Sequence, residues 1–265
     1  MLKRIIFFLV FSTISLGLCH ASETKKIILS AKICAGMALK NPRKTGNPAK
    51  PSELALLAKD RYYRYLMDED LSVNAKEVRD NFETAVEKAE KKFEKEEPGV
   101  TQSDILKLKL GLMGVQKDLN ETEKDLERSK VELLEYLGLD RDTPLEFSED
   151  GLKKINLEVP SLESCRESAR KNHSSSSPVE LETAYINLME SKENIGFLKE
   201  GRKYSRGLLV VALANFDMGI GEGKDLFEAL YIYNRAVRDY VKGVYSFNMA
   251  VERLGGAIGE ELVKK

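Results

Sequence analysis

The sequence predicts an all-α protein: two long antiparallel helical hairpins, coiled-coil-like and related by internal duplication. Three observations predict it. The 265-residue chain has no Trp, only seven Pro and 32% charged residues, a composition tilted toward long helices with solvated faces. Two stretches carry an apolar seam that steps three and four residues without a break. Those two seams also coincide when the chain is slid along itself.

The elements follow in chain order. Residues 1–21 read as a secretory signal: Lys3 and Arg4 form a basic start, Ile5 to Leu18 is apolar, and Cys19-His20-Ala21 puts small residues before a cut at Ser22. A lipoprotein signal ending on Leu16-Gly17-Leu18-Cys19 is the rival, although Leu18 is bulky where a small residue is preferred. Residues 22–140 form a first helical repeat. It opens with a short helix ending in Lys40-Asn41 and continues with a long arm from Ser52 to about Glu94, marked by Val78, Phe82, Ala85, Ala89 and Phe93. A tip at Glu96-Glu97-Pro98-Gly99 turns the chain into a second arm from Asp104 to Leu137. Residues 141–177 are a linker with a short helix, punctuated by Pro144, Gly151 and Pro160 and ending in a flexible serine run, Ser174 to Ser177. Residues 178–265 are the second hairpin, with arms from Pro178 to about Phe216 and from Asp225 to about Ile258. Arms of this length are rods of roughly 45–60 Å, and short connections make them antiparallel neighbours.

An offset of 121 residues carries Asp104 onto Asp225 and Gly138 onto Gly259. The first seam is Ile105, Leu108, Leu112, Val115, Leu119, Thr122, Leu126, Ser129 and Leu133. The second is Leu226, Ala229, Tyr233, Ala236, Tyr240, Gly243, Phe247, Ala250 and Leu254. Upstream, Cys34 to Asn41 falls on Cys165 to Asn172 at an offset of 131, so the first arm is longer by ten residues.

Chemistry is sparse. The net charge of −1 gives no basic field for nucleic acid. Only His173 lies beyond the signal, which excludes a histidine-rich metal site and thins any triad. Gly219 to Lys224 mimics a phosphate loop, but its spacing is wrong, and Asp225 stands where Ser or Thr would bind magnesium. Glu94, Glu96 and Glu97 lie among Lys91, Lys92 and Lys95 on a solvated helix end. Tyr231, Tyr233, Tyr240 and Tyr245 read as helix-packing residues. No catalytic set, cofactor site or metal site is expected. Cys34 and Cys165 occupy matching places in the repeat; a bridge between them and two separate buried thiols both fit.

The run from Phe216 to Leu226 ends a helix, turns on glycine and opens the next helix with Asp-Leu. The last helix then carries Tyr240, Tyr245, Phe247-Asn248-Met249-Ala250 and Leu254-Gly255. This segment resembles the closing half-repeat of the TolC-type outer-membrane efflux and secretion proteins, which also carry two helix–tip–helix copies. The first tip departs from the pattern: Pro98-Gly99 replaces the glycine region, and Asp104 follows Gly99 by five residues where Asp225 follows Gly219 by six. The resemblance implies a TolC-like helical-barrel module, non-enzymatic, in a periplasm-spanning export assembly associated with the outer membrane. It implies docking of a periplasmic adaptor protein at the tips (Gly99, Val100, Asp104, Gly219, Ile220, Asp225), an inner-membrane pump beyond it, and a homotrimer. The family's membrane strands, alternating runs of ~10 residues, are not found where they should interrupt the helices. A periplasmic coiled-coil scaffold or chaperone that has lost the channel role is therefore the alternative. Apolar residues off the seams are expected to serve chain-to-chain contacts: Phe227, Ile232, Val237, Val244 and Val251 in the last helix; Leu106, Leu110, Met113 and Leu134 in the second.

Overall fold

A computed structural model describes residues 27–41 and 50–262; the signal segment and Cys19 lie outside the described residues. Six helices hold most of the described residues. Helix α1 (Ala31–Lys40) is capped by the Ser30 hydroxyl, which accepts from the Ile33 N–H at 3.3 Å. Helix α2 (Pro51–Glu94) opens on a proline, whose missing N–H costs nothing at a first helical position. Helix α3 (Gln102–Leu137) starts two residues before the expected Asp104, because Thr101 and Asp104 cap each other reciprocally. It stops at Gly138, whose φ of +73° suits a residue without Cβ. After a strap come α4 (Leu162–Lys171), α5 (Pro178–Asp217) and α6 (Gly223–Ile258), the last ended by Gly259 at φ +76°. The only strands among the described residues are a two-residue parallel bridge, β1 (Ile28–Leu29) against β2 (Glu146–Phe147). No described helix is long and apolar enough to cross a membrane.

The two hairpins are α2–α3 and α5–α6, and α6 is the hub, packed on α5, α2 and α3. Every residue of both expected seams is buried or half-buried. Three apolar clusters run along the rods. One, with Phe82, Leu108, Phe216 and Leu226, fills the tip half and joins the hairpins; the others lie around α1 and around α4 at the far end. Leu152 of the strap touches all three clusters. The strap is fixed by Asn248, whose Oδ1 accepts from the Ile155 N–H at 2.9 Å while its Nδ2 donates to the Lys153 carbonyl at 2.8 Å.

The duplication is visible in bonding. Asn41 ends α1 and donates to the Tyr136 carbonyl at 3.0 Å, at the end of α3. Asn172 ends α4 and donates to the Ile258 carbonyl at 3.0 Å, at the end of α6. A Cβ on Gly138 would meet the Asn41 side chain at 3.0 Å, and one on Gly259 would meet Asn172 at 3.2 Å. In each repeat the short helix thus closes the C-terminus of the returning arm, satisfying carbonyls that no helical N–H reaches.

Two expectations change, and of the two arrangements open for the cysteines the structure has the separate thiols. Val237, Val244 and Val251 are buried because α6 has neighbours on both sides, and Leu134 of α3 is buried too; none of the four is free for chain-to-chain contacts. Cys34 and Cys165 are separate free thiols, each buried in its own cluster, and burial pushes Cys34 up to about 12. The serine run is ordered: the Ser174 hydroxyl donates to the Ala257 carbonyl at 2.7 Å, and Ser177 with Glu180 forms the capping box of α5.

Candidate functional site: the paired helix tips

The structure brings the two tips into contact. The Gly223 N–H donates to the Gly99 carbonyl at 3.1 Å. Gly99 sits at φ +91°, and a Cβ there would lie 3.0 Å from the Gly221 carbonyl oxygen. A Cβ on Gly223 would lie 2.8 Å from the Asp104 Cβ. Glycine is therefore required at Gly99 for its backbone angle and at Gly223 for close approach.

Around this junction the hairpins are pinned by charge. Lys88 of α2 reaches Asp217 at the end of α5, at 2.7 Å. Lys92 lies over the Phe216 ring, 5.2 Å from its centroid, and within 3.8 Å of Glu97. Val100 is half-buried against the tip cluster.

The six residues expected at the tips therefore fall into different roles. Asp104 is buried: its Oδ2 accepts from the Thr101 N–H at 3.1 Å and the Thr101 hydroxyl at 2.7 Å. Its carboxylate is spent on the helix start, favourably placed at the positive end of the backbone dipoles. Gly99 and Gly219 hold the turns, at φ +91° and +73°. Ile220 is 73% exposed, with Met218 beside it at 64%, and Asp225 is exposed in the first turn of α6. Met218 and Lys88 were not singled out by sequence; two exposed apolar residues bracketing a turn glycine were the signal available. Among the described residues no group of His, Cys, Asp or Glu is arranged to hold a metal ion.

The side faces are uneven. Helix α5 buries one stripe (Leu181, Leu188, Ile195, Ser205, Leu209, Ala212, Phe216) and leaves Phe197, Tyr204, Leu208 and Val211 exposed. Helix α3, at the other edge, leaves Leu106, Leu110 and Met113 exposed. The registers relate these stripes. Asp118 of α3 pairs with Arg238 of α6, Leu198 of α5 lies against Gly243, and Arg202 covers the Tyr240 ring at 4.9 Å. Carried across α6, these contacts put Leu208 and Val211 at the height of Met113 and Leu110, with Tyr204 and Phe197 level with Lys117 and Lys124.

Two hairpins with joined tips and a strap across their far half make the fold of the helical part of TolC-type outer-membrane channels. Three solved structures show the likeness. The chain aligns with the outer-membrane channel OprN at a TM-score of 0.63 and 11% identity, over 86% of this chain and 71% of that one. It aligns with the CmeC outer membrane channel of Campylobacter jejuni at 0.63 and 11%, over 81% and 64%. CusC, whose crystal structures concern folding and transmembrane channel formation, aligns at 0.64 and 10%, over 87% and 72%. No protein-family model and no curated protein sequence matches the chain. At these identities the likeness is one of fold.

Proposed function

We propose that this chain is a non-enzymatic helical module of a periplasm-spanning export assembly associated with the outer membrane. In this reading its paired tips receive a periplasmic adaptor that connects it to an inner-membrane pump. The observation that carries the reading is the tip junction: the Gly223 N–H bonded to the Gly99 carbonyl presents two tips as one end, with Ile220 and Met218 exposed beside it. Three copies closing edge to edge would bring the α5 stripe of one against the α3 stripe of the next, apolar on apolar near the tips and lysine on aromatic ring above. Because the two stripes lie on different surfaces the contact is head-to-tail, the kind that generates rings.

A photo-reactive residue at Ile220, introduced in cells, tests the docking. Crosslinking to a periplasmic adaptor is expected, with loss of export in Ile220→Glu and Asp225→Lys. Both positions are exposed, so the fold should survive either change. Full export in both variants with no adaptor captured would refute the reading.

One observation favours a second reading. In the second repeat α4 joins α5 through Asn172 to Ser177 alone, and α5 then runs unbroken to Asp217. That link is too short for two strands of ~10 residues, which suits a periplasmic coiled-coil scaffold or chaperone that has lost the channel role. Co-purification after mild crosslinking separates the two: an export module brings an adaptor with it, and a free-standing scaffold does not.

A further inference from the structure

Glycine inside a helix destabilises it relative to alanine, so an interior glycine calls for a packing reason. Gly111 of α3 has one, because the Phe82 ring fills the space a Cβ would take, and Gly243 of α6 has one in Leu198. Gly114 of α3 and Gly207 of α5 have none within the chain. Both are exposed, and a Cβ on either would meet nothing within 4 Å. The registers across α6, set by Asp118 with Arg238, Leu198 with Gly243 and Arg202 with Tyr240, put these two glycines level with each other. Gly207 has Tyr204 and Val211 one turn to either side, and Gly114 has Leu110 and Lys117, all four exposed. The other helix glycines with open space are not matched in this way. Gly196 and Gly201 of α5 fall level with Asp125 and Asn120, and Gly36 and Gly256 lie in α1 and α6, off both edges.

We infer that Gly207 of one copy meets Gly114 of the next, and that this is the closest approach of helix backbones between copies. The inference rests on the edge-to-edge ring proposed above and names the residues that set its spacing. A ring closed by rotation has no rise between copies, so residues at one height on the two edges meet. Helix axes pack about 8–10 Å apart, according to the side chains between them. With no side chain on either helix at this height, the separation falls to the short end. Leu208 and Val211 can then interdigitate with Leu110 and Met113 instead of holding the helices apart. Charge points to a second copy as the occupant. Away from the tips the outward face of α5 carries Glu193 and Glu200, and that of α3 carries Lys117, Lys124 and Arg128, all exposed. Their ion pairs within the chain lie along their own helices: Lys117 with Glu121, Arg128 with Asp125, Glu200 with Lys203. In the shared register Glu193 is level with Arg128, and Glu200 falls between Lys117 and Lys124, so the two edges are complementary in charge.

The test is a direct disulfide between Gly114→Cys and Gly207→Cys, placed together in the full chain and oxidised in intact cells. A disulfide requires Cα atoms within about 7 Å, which only a backbone contact provides. Within one chain α6 stands between the two positions, so any bridge joins copies. Cys34 and Cys165 are buried, and the parent chain gives their background. Disulfide-linked oligomers are expected. The companion variant, with cysteines at Met113 and Leu208 and a flexible bis-maleimide linker, reports the edge contact itself. Linker products without the disulfide would overturn the inference and leave the edge contact standing; neither product would overturn both. Alanine gives a second readout. In dilute solution Gly114→Ala and Gly207→Ala should each raise the melt, since the added methyl has open space within the chain. Between copies the two methyls crowd the contact, and the double alanine variant should weaken association by about tenfold or more in sedimentation. A raised melt with association unchanged or strengthened would overturn the inference.

Discussion

The sharpest test of the tip geometry is Gly99→Ala. The residue sits at φ +91°, where an L side chain costs ~1–2 kcal/mol. The added methyl would lie 3.0 Å from the Gly221 carbonyl oxygen, so the second tip must retreat by a few tenths of an ångström. The Gly223 to Gly99 hydrogen bond, 3.1 Å long, is then stretched, and losing it costs about 1 kcal/mol. Against this, alanine stiffens the unfolded chain and returns ~0.4–1 kcal/mol. The net loss is about 1–3 kcal/mol. A protein of this size loses roughly 2–4 °C of melting temperature per kcal/mol, so a fall of several degrees is expected in a melt followed by circular dichroism. Gly36→Ala is the control: a Cβ there has nothing within 4 Å, and in a helix interior alanine is worth ~0.5–1 kcal/mol more than glycine. The two variants should move in opposite directions. If Gly99→Ala leaves the melt unchanged, or tracks Gly36→Ala, the tips are not locked as described.

The remaining predictions concern the far end, the inter-hairpin seam and the edges. Asn172→Ala should cost about 1 kcal/mol by freeing the Ile258 carbonyl, and Asn41→Ala should cost more because Asn41 is buried and bonds both Glu135 and Tyr136; thermal melts of the pair check this. Glu252→Gln should cost about 2–3 kcal/mol, since it leaves Lys59, 13% exposed like its partner, without its nearest counter-charge; urea unfolding measures it. Asp68 is raised above the ordinary aspartate range, chiefly by burial. Its contribution is therefore fully favourable below the unfolded value and is lost as pH rises through the higher folded one. Asp68→Asn should accordingly stabilise the chain at neutral pH, with the gain vanishing in acid, as melts across pH will show. Cysteines at Met113 and Leu208 should crosslink between copies and not within one; only internal products, or none, would rule out the edge contact.

Much of this fold was legible because a heptad seam states both the helix and its buried face. The nine seam positions of α3 and of α6 are all covered. What the seam does not state is which second face meets a neighbour. Val237, Val244 and Val251 look like the outer stripe of a hairpin, but α6 lies between α5 and α2, so its second face is also interior. Helix α5 reads as continuously apolar from Leu208 to Leu213, and only its edge position explains why Leu208, Val210 and Val211 are exposed while Leu209 and Ala212 are covered. At the tips, Asp104 and Asp225 correspond in the repeat, but Thr101 three residues before Asp104 is a capping-box signal, and it fixes Asp104 in a structural role. Glu222 has no side-chain cap bond, which leaves Asp225 outward. Asn41 and Asn172 were visible as matched residues, as were Gly138 and Gly259. That each asparagine meets its glycine follows only once α1 and α4 are seen folded back over the ends of α3 and α6.

The ten extra residues of the first repeat are not spread evenly, and their placement bears on what a partner meets. Helix α2 has 44 residues and α5 has 40, so the first descending arm is longer by about one turn. Lys88, which bonds Asp217 at the very end of α5, stands six residues before the end of α2. At 1.5 Å per residue, α2 therefore continues for about 9 Å past that contact. The two tips form a step. The first tip projects, and it leans back so that Gly99 meets Gly223 at the start of α6 and leaves Met218 and Ile220 uncovered on the flank. In the proposed docking, an adaptor approaching end-on would reach the exposed Glu96, Glu97 and Pro98 before Ile220. On that proposal its surface would carry a recess for the first tip and an apolar ledge for the second. Since Asp104 is turned inward, the charge available at the leading edge is that of Glu96 and Glu97, with Lys91 and Lys95 behind them.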